Sequence, residues 1–151
     1  MNDVRQLECV DTNVLIYAHD LSAGQKHIQA RALIQKLWEY RGGCLSIQVL
    51  QEFYVNVTHK VAKSLTSEAA SQVITEIAVW QVHHPGVNEV LDATSIQDRY
   101  QISFWDAMII ARDLHLGCET PWSDNLKPGQ AYEQVVVANP FKYIAFGILV
   151  M

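Results

Sequence analysis

The stretch that decides the fold is residues 7–17, which read LECVDTNVLIY. The apolar run at 7–10 has the length of a buried strand, and residues 13–18 continue with the composition of a short helix. Asp11 stands between the two. Functional sites in open α/β sheets form beyond the carboxyl ends of the strands, so this acid stands where a site is expected.

The same alternation of strand-sized apolar runs and helical periods continues along the chain, which predicts an α/β protein. Helices are expected at 13–18, 25–40, 49–61, 66–78, 87–100 and 104–116. Strands are expected at 7–10, 44–47, 80–83, 119–122 and 134–138. Gly42 and Gly43 are expected to close the second helix. No internal repeat or linker divides the sequence, so a single domain is predicted.

The composition indicates a packed core and a modest negative charge. The 151 residues are 50% hydrophobic and 18% charged, with a formal net charge of -5. These values exclude the disordered class and argue against binding of nucleic acid through a broad basic face. An acidic protein can still process RNA when its carboxylates gather in one pocket and divalent cations neutralise them.

The two ends of the sequence predict a cytosolic protein without a membrane anchor. Residues 1–8 carry charges and no apolar block of the secretory type. No apolar run reaches the roughly 20 residues that a membrane span requires. Residues 142–151 form an apolar C-terminal extension, for which packing on a dimer partner and disorder are the two alternatives. We expect packing, because an exposed apolar segment of this length promotes aggregation.

Four acids follow the predicted strands or begin the helices after them. Asp11 follows the first strand, Glu52 lies in the helix after the second, Asp106 opens the helix after Ser103, and Asp124 follows the fourth strand. Because these positions share one edge of a parallel sheet, we expect the side chains to converge. Each acid alone also fits an ordinary role as a helix cap or a dipole partner, and residues 103–106 have the form of a capping box with a short acid.

The surroundings of the acids favour a metal site over separate caps. Asp11, Glu52 and Asp106 each lie among apolar residues, so they border the core. Carboxylates crowded against apolar walls lose hydration and repel one another unless cations or protons compensate. Oxygen ligands without neighbouring His or Cys suit hard ions, so the sequence predicts Mg²⁺ or Mn²⁺.

The cysteines and histidines give no metal motif. Cys9, Cys44 and Cys118 are odd in number and form no CxxC pair, so we expect small buried core residues rather than a disulfide or a zinc site. The six histidines form no HxxxH or HExxH pattern. His83 and His84, which precede a proline, are expected to be exposed or hydrogen-bonded.

Four segments resemble the PIN domain family, in particular the VapC-type toxin ribonucleases of bacterial toxin-antitoxin pairs. They are 10–17 (VDTNVLIY), 46–54 (SIQVLQEFY), 102–109 (ISFWDAMI) and 139–141 (NPF). The resemblance implies a three-layer fold, with a mostly parallel central sheet of about five strands flanked by helices, in a single nuclease domain at 1–141. It also implies Mg²⁺- or Mn²⁺-dependent hydrolysis of RNA phosphodiester bonds, a small cognate antitoxin and a homodimer.

The resemblance also assigns residues to the site. It implies catalytic and metal-binding roles for Asp11, Glu52, Asp106 and, at a fourth position, Asp124 or Asn125. Four short polar side chains stand beside these acids in the sequence, where they can orient the carboxylates or bind substrate: Thr12, Asn13, Ser103 and Ser123. Turn and capping roles fit Thr12, Asn13 and Ser103 equally well. The family's usual fourth motif is Thr or Ser, any residue, then Asp, whereas residues 123–125 read Ser-Asp-Asn, so both candidates for the fourth ligand stay open.

Three other interpretations compete with a nuclease. The first is a catalytically impaired PIN-like module that binds RNA or protein. The second is a haloacid-dehalogenase-type phosphatase, which needs a second acid two residues after the first, where this chain has Asn13. The third is a receiver-like signalling domain, which needs paired acids at the first strand and an acceptor Asp after the third, where this chain has residues 83–85, His-His-Pro.

Overall fold

The computed structural model describes residues 6–143 and contains a central sheet with helices packed around it. The strands are β1 (Glu8–Val10), β2 (Gly43–Ser46), β3 (Gln81–His83), β4 (Thr120–Trp122), β5 (Ala131–Tyr132) and β6 (Val135–Val136). The helices are α1 (Thr12–His19), α2 (Gln25–Tyr40), α3 (Ile47–His59), α4 (Ser67–Ile77), α5 (Val87–Tyr100), α6 (Phe104–Leu116) and α7 (Pro140–Tyr143), with a 3-10 turn at Leu21–Ala23.

The strands β1 to β4 form one parallel sheet in the order β3-β2-β1-β4. Strand β1 pairs with β2 on one side and with β4 on the other. Because the strands run the same way, the residues that follow them lie along one edge. The predicted α/β fold with a parallel central sheet is confirmed, with four strands in the sheet rather than about five.

The strand expected at 134–138 does not join the sheet as a fifth member. Its central part, β6, pairs antiparallel with β5, and the chain reverses between them at Glu133, which has a φ of 58°. In the described part of the chain, one parallel bridge from Ala138 to Trp122 links this segment to β4. At this bridge the backbone N–H of Ala138 donates to the Pro121 carbonyl oxygen at 2.9 Å, and that of Ser123 donates to the Ala138 carbonyl oxygen at 3.0 Å. The segment therefore pairs with β5 at its start and reaches the edge of the sheet only at its end, a division that β-propensity alone does not predict.

Helix α2 spans residues 25–40 as predicted, but the left-handed residue that ends it is Arg41, with a φ of 56°, rather than a glycine. Gly42 helps to close the helix, because its backbone N–H donates to the Leu37 carbonyl oxygen at 3.3 Å, whereas Gly43 begins β2. Gly43 is needed for a different reason. A Cβ atom at this position would lie 2.5 Å from the ring of Trp80, so glycine lets β2 pack against the indole.

Two hydrophobic clusters hold the helices in place. The larger lies among α1, α2, α3 and α4 and contains Leu15, Leu37 and Phe53. The second joins α5 and α6 to the β5-β6 hairpin. Ile109 of α6 belongs to the larger cluster and its neighbour Ile110 to the second, so α6 is packed from both sides. Each fully buried side chain of this size contributes about 1.5–3 kcal/mol, which fixes the position of α6 firmly.

Cys9 and Cys44 form a disulfide, so the expectation of unpaired core cysteines is wrong for these two residues. They are register partners on β1 and β2, their Cα atoms lie 4.3 Å apart, and both are fully buried. Cys118 is free and partly buried. The pairing could not be seen in the sequence because strand register, not spacing along the chain, brings the two thiols together.

The predicted C-terminal extension, 142–151, begins inside α7, and residues 144–151 lie outside the described residues. Its packing and the domain boundary at 141 therefore stay predictions. Among the helices of residues 6–143, none has the length and apolar character that a membrane span needs.

Candidate active site

Asp11 lies at the centre of the candidate site, directly after β1. It is the N-cap of α1, and its Oδ1 accepts a hydrogen bond from the backbone N–H of Thr12 at 3.0 Å. Its Oδ2 accepts from the Ser123 hydroxyl at 2.6 Å. The residue is only 4% exposed. The cap expected for this residue is therefore present, and the same cap fixes the carboxylate at the sheet edge.

Glu52 reaches the site from α3. This helix begins after β2, where the hydroxyl of Ser46 accepts from the backbone N–H of Val49 at 3.3 Å. The Thr12 hydroxyl donates to Glu52 Oε1 at 2.6 Å, and the Gln48 amide lies 3.4 Å from the same oxygen. The hydrogen bond from Thr12 ties the acid of α3 to the residue beside Asp11.

Asp106 lies in the first turn of α6, which Ser103 caps. The backbone N–H of Asp106 donates to the Ser103 hydroxyl at 3.0 Å. Ser103 is exposed, and Asp106 is partly buried. The predicted capping role of Ser103 is confirmed, and it sets the direction in which α6 starts.

The fourth position is shared between two residues. The Asn13 amide donates to Asp124 Oδ1 and to Asn125 Oδ1, both at 3.1 Å. The backbone N–H of Asn125 donates to the Ser123 hydroxyl at 3.1 Å, and that hydroxyl in turn binds Asp11. The loop after β4 is thus joined to β1 through short polar side chains.

A cavity of about 200 Å³ brings the predicted residues together. Six of them line it: Asp11, Thr12, Asn13, Glu52, Asp106 and Asn125. Asp124, Ser103 and Ser123 are not among the lining residues, but each forms a hydrogen bond with one of them. A larger groove of about 830 Å³ lies at Gly43 and Gln81, which begin β2 and β3, and therefore at the opposite edge of the sheet.

Four further residues line the cavity that the sequence analysis did not single out: Gln48, Asn56, Trp105 and Ile109. Gln48 and Asn56 stand four positions before and after Glu52, and residues four apart share a helix face, so the helical period could have found them. Trp105 is next to Asp106 and is 58% exposed. The sequence contained no signal for Trp105, because its exposure is a property of the folded chain and its apolar neighbours predicted a place in the core.

The carboxylates of the cavity act on one another. Burial raises the pKa of Asp11, repulsion from Asp106 acts in the same direction, and the Ser123 hydrogen bond and the charge of Arg112 oppose it. Burial also raises the pKa of Asp106, and repulsion from Glu52 adds to the effect. A divalent cation held among these oxygen atoms would offset both burial and repulsion, so the residues present fit a divalent ion with oxygen ligands.

A buried ion pair beneath the site also escaped the sequence analysis. Arg112 and Asp113 of α6 are 2% and 1% exposed, and Arg112 Nε donates to Asp113 Oδ1 at 2.9 Å. Arg112 Nη1 donates to the backbone carbonyl oxygen of Val10 at 3.0 Å. The guanidinium thus joins α6 to the end of β1, one residue before Asp11.

An acid-lined cavity at the carboxyl edge of a parallel sheet agrees with the family to which the chain belongs. The sequence profile of the PIN domain matches residues 9–124, a span that includes Asp11, Glu52, Asp106 and Asp124. The chain is therefore a member of the PIN domain family.

Three solved structures of toxins or toxin-antitoxin complexes share the fold. VapC20 of Mycobacterium tuberculosis, a sarcin-ricin loop cleaving toxin, is 19% identical, with a TM-score of 0.60 over 76% of this chain and 86% of its own. A toxin-antitoxin complex from Klebsiella pneumoniae is 19% identical, with a TM-score of 0.63 over 88% of this chain and 97% of its own. VapBC2 from Rickettsia felis, bound to a promoter DNA fragment, is 15% identical, with a TM-score of 0.63 over 89% of this chain and 98% of its own. No curated protein matches the sequence.

The Asp113 carboxyl predicts a specific pH dependence of stability. Burial raises its pKa to about 6, against the opposing charge of Arg112. Between about pH 4 and 6 the unfolded chain loses this proton while the folded chain keeps it, so stability falls as the pH rises and levels off above 6. The free energy of unfolding in urea should therefore fall by up to about 3 kcal/mol between about pH 4 and 6 in wild type. Asp113→Asn, which has no carboxyl group at this position, should not show this fall. Parallel curves for the two proteins would refute the assignment.

Proposed function

We propose that the chain is a metal-dependent ribonuclease, the toxin of a toxin-antitoxin pair, and that it hydrolyses RNA phosphodiester bonds in the cytoplasm. The observation that carries this proposal is the convergence of Asp11, Glu52 and Asp106 on one cavity within a PIN domain. The three structural relatives, which are toxins or toxin-antitoxin complexes, support it.

The proposed metal ligands are Asp11 and Asp106, with Glu52 binding directly or through water. All three are carboxylates, and Asn125 adds a neutral oxygen to the lining of the cavity. When bound, Mg²⁺ or Mn²⁺ supplies a water of lowered pKa and positive charge against the phosphate. A set of oxygen ligands without nitrogen or sulfur is the reason to propose these ions over zinc.

The protein groups around the acids position them for this reaction. The Ser123 hydroxyl and the Thr12 backbone N–H hold the two oxygens of Asp11, and the Thr12 hydroxyl holds Glu52. These bonds fix the carboxylates before substrate arrives, which lowers the reorganisation needed in the transition state. We propose that Ser103 does the same for Asp106 by setting the start of α6.

The size of the cavity suggests which part of the RNA enters it. A volume of about 200 Å³ accommodates a phosphate with part of a sugar, so the bases stay outside. Trp105, exposed at the cavity, offers a flat surface on which a neighbouring base can stack. The amides of Gln48 and Asn56 each donate one N–H to Glu52, to Oε1 and to the backbone carbonyl oxygen respectively. The second N–H of each amide is a neutral donor for a phosphate oxygen.

The proposed partners are a small cognate antitoxin, which covers the cavity and blocks it, and a second copy of the chain in a homodimer. Two of the structural relatives are themselves complexes of a toxin with its antitoxin. The apolar extension at 142–151 is a candidate for the dimer contact, as the sequence suggests.

One observation favours a second candidate, a catalytically impaired module that binds RNA. Asn125, an amide, lines the cavity at the fourth position, where the family pattern has an acid. A ligand without charge binds a divalent cation more weakly. The phosphatase alternative has less support, because the position of its second acid is Asn13, a carboxamide that has no acidic proton to transfer.

The first prediction concerns the acids themselves. Asp11→Asn and Asp106→Asn should each lower RNA cleavage at least roughly a hundredfold, because replacement of a metal ligand costs at least as much as the loss of a residue that orients one. Cleavage of a labelled single-stranded RNA is measured with added Mg²⁺ or Mn²⁺ and after chelation. Asp98→Asn, an exposed change on α5, is the matched control and should keep wild-type turnover. Full activity in both cavity variants would end the proposal.

The second prediction separates the two candidates for the fourth position. Asn125 lines the cavity, so Asn125→Asp should lower the metal concentration needed for half-maximal cleavage by about tenfold. Asp124→Asn, which keeps an oxygen to accept from Asn13, should leave that concentration nearly unchanged. The opposite pattern, with loss of activity in Asp124→Asn alone, would assign the ligand to Asp124. Cleavage by wild type that stays undetectable, with activity gained in Asn125→Asp, would support the impaired module.

The third prediction tests base stacking on Trp105. Trp105→Ala should raise KM for single-stranded RNA roughly tenfold or more, since a stacked base contributes about 1–3 kcal/mol, and Trp105→Phe should recover most of the loss. The control is Trp38→Ala, because Trp38 is also exposed but lines the groove at the opposite edge of the sheet. A fall in kcat at unchanged KM would contradict a role in binding.

A further inference from the structure

A second group of metal-binding side chains lies outside the carboxylate cavity. His83 ends β3, Glu89 lies in the first turn of α5, and His115 lies in the last turn of α6. One ligand atom from each residue lies within 4.8 Å of the other two. Three elements that are separate in sequence thus bring two imidazoles and one carboxylate to a single point.

The group is held in place by its surroundings. His83 is 6% exposed, and its Nε2 contacts Glu89 Oε2 directly. The other carboxylate oxygen, Oε1, accepts a hydrogen bond from the backbone N–H of Gly86 at 2.9 Å. This bond fixes the orientation of the carboxylate, in the way that outer hydrogen bonds orient ligands in metal sites.

The second imidazole distinguishes this group from a simple ion pair. Glu89 and His83 satisfy each other without His115, yet the ring of His115 packs 4.9 Å from that of His83, at an angle of 42°. His115 is exposed and lies at the end of α6, where the partial negative charge of the helix terminus favours a cation. His115 therefore offers a second nitrogen ligand beside His83 and Glu89.

We propose that His83, Glu89 and His115 bind a zinc ion, at a site separate from the carboxylate cavity. Two histidines and one carboxylate are a donor set of tetrahedral zinc sites that leave the fourth position to water. Nitrogen ligands favour Zn²⁺ over Mg²⁺ and Mn²⁺, so the two sites select different ions. A metal at this point would join the edge strand β3 to both α5 and α6.

The test is a titration of the metal-stripped full chain with ZnCl₂ in a calorimeter, and with CoCl₂ in a spectrophotometer. Wild type should bind zinc at this site, and Co²⁺ should give the intense visible bands of tetrahedral coordination. His115→Ala, a change at an exposed residue, should weaken zinc binding at least tenfold and remove those bands. Glu89→Gln should weaken zinc binding to a similar extent. Zinc should raise the thermal unfolding temperature of wild type but not that of His115→Ala or Glu89→Gln.

Two control variants keep the result specific. His84→Ala removes an exposed histidine next to His83 and should bind zinc as wild type does. Asp106→Asn alters the carboxylate cavity and should also keep the tetrahedral Co²⁺ bands, so failure of the proposed nuclease and failure of the zinc site are distinguishable. Zinc affinity in His115→Ala equal to that of wild type, or Co²⁺ bands lost only in Asp106→Asn, would overturn the proposal.

Discussion

The arrangement of the site depends on the buried guanidinium of Arg112. It pairs with Asp113 on its own helix and donates to the carbonyl oxygen of Val10, so it connects α6 to the end of β1. A buried cation of this kind is costly to desolvate and is stable only where acceptors surround it. Because those acceptors come from both elements, the pairing fixes α6 relative to β1, and with it Asp106 relative to Asp11.

The cost of gathering carboxylates at one edge explains the polar side chains around them. Asp11 and Asp106 have raised pKa values, chiefly because burial removes water from them. The hydroxyls of Thr12 and Ser123 and the amide of Asn13 each donate to an acidic or amide group of the site. These small donors hold the carboxylates in one geometry and leave room for a cation. A bound cation would offset the remaining cost of burying negative charge.

The predictions from sequence succeeded where the signal is local and failed where it depends on pairing. The strand before Asp11 and the cap at Ser103 follow from a few neighbouring residues, and both are present. The strand expected at 134–138 is not a full fifth member of the sheet, because a turn at Glu133 pairs its start with β5 and only Ala138 reaches β4. The disulfide between Cys9 and Cys44 was missed because the register of two strands decides it.

The sequence by itself determined the family, the α/β alternation and the candidate acids. Short motifs indicated the family and the acids, and the periodicity of apolar residues predicted the alternation of strands and helices. Only the tertiary structure decided which polar groups meet. It placed Asn125 in the lining of the cavity and Asp124 outside that lining, where it accepts a hydrogen bond from Asn13, and it brought Trp105 to the same cavity. Contacts of this kind depend on how helices and loops pack across the sheet. The number of residues between two positions in the sequence does not predict how far apart their side chains lie in the fold.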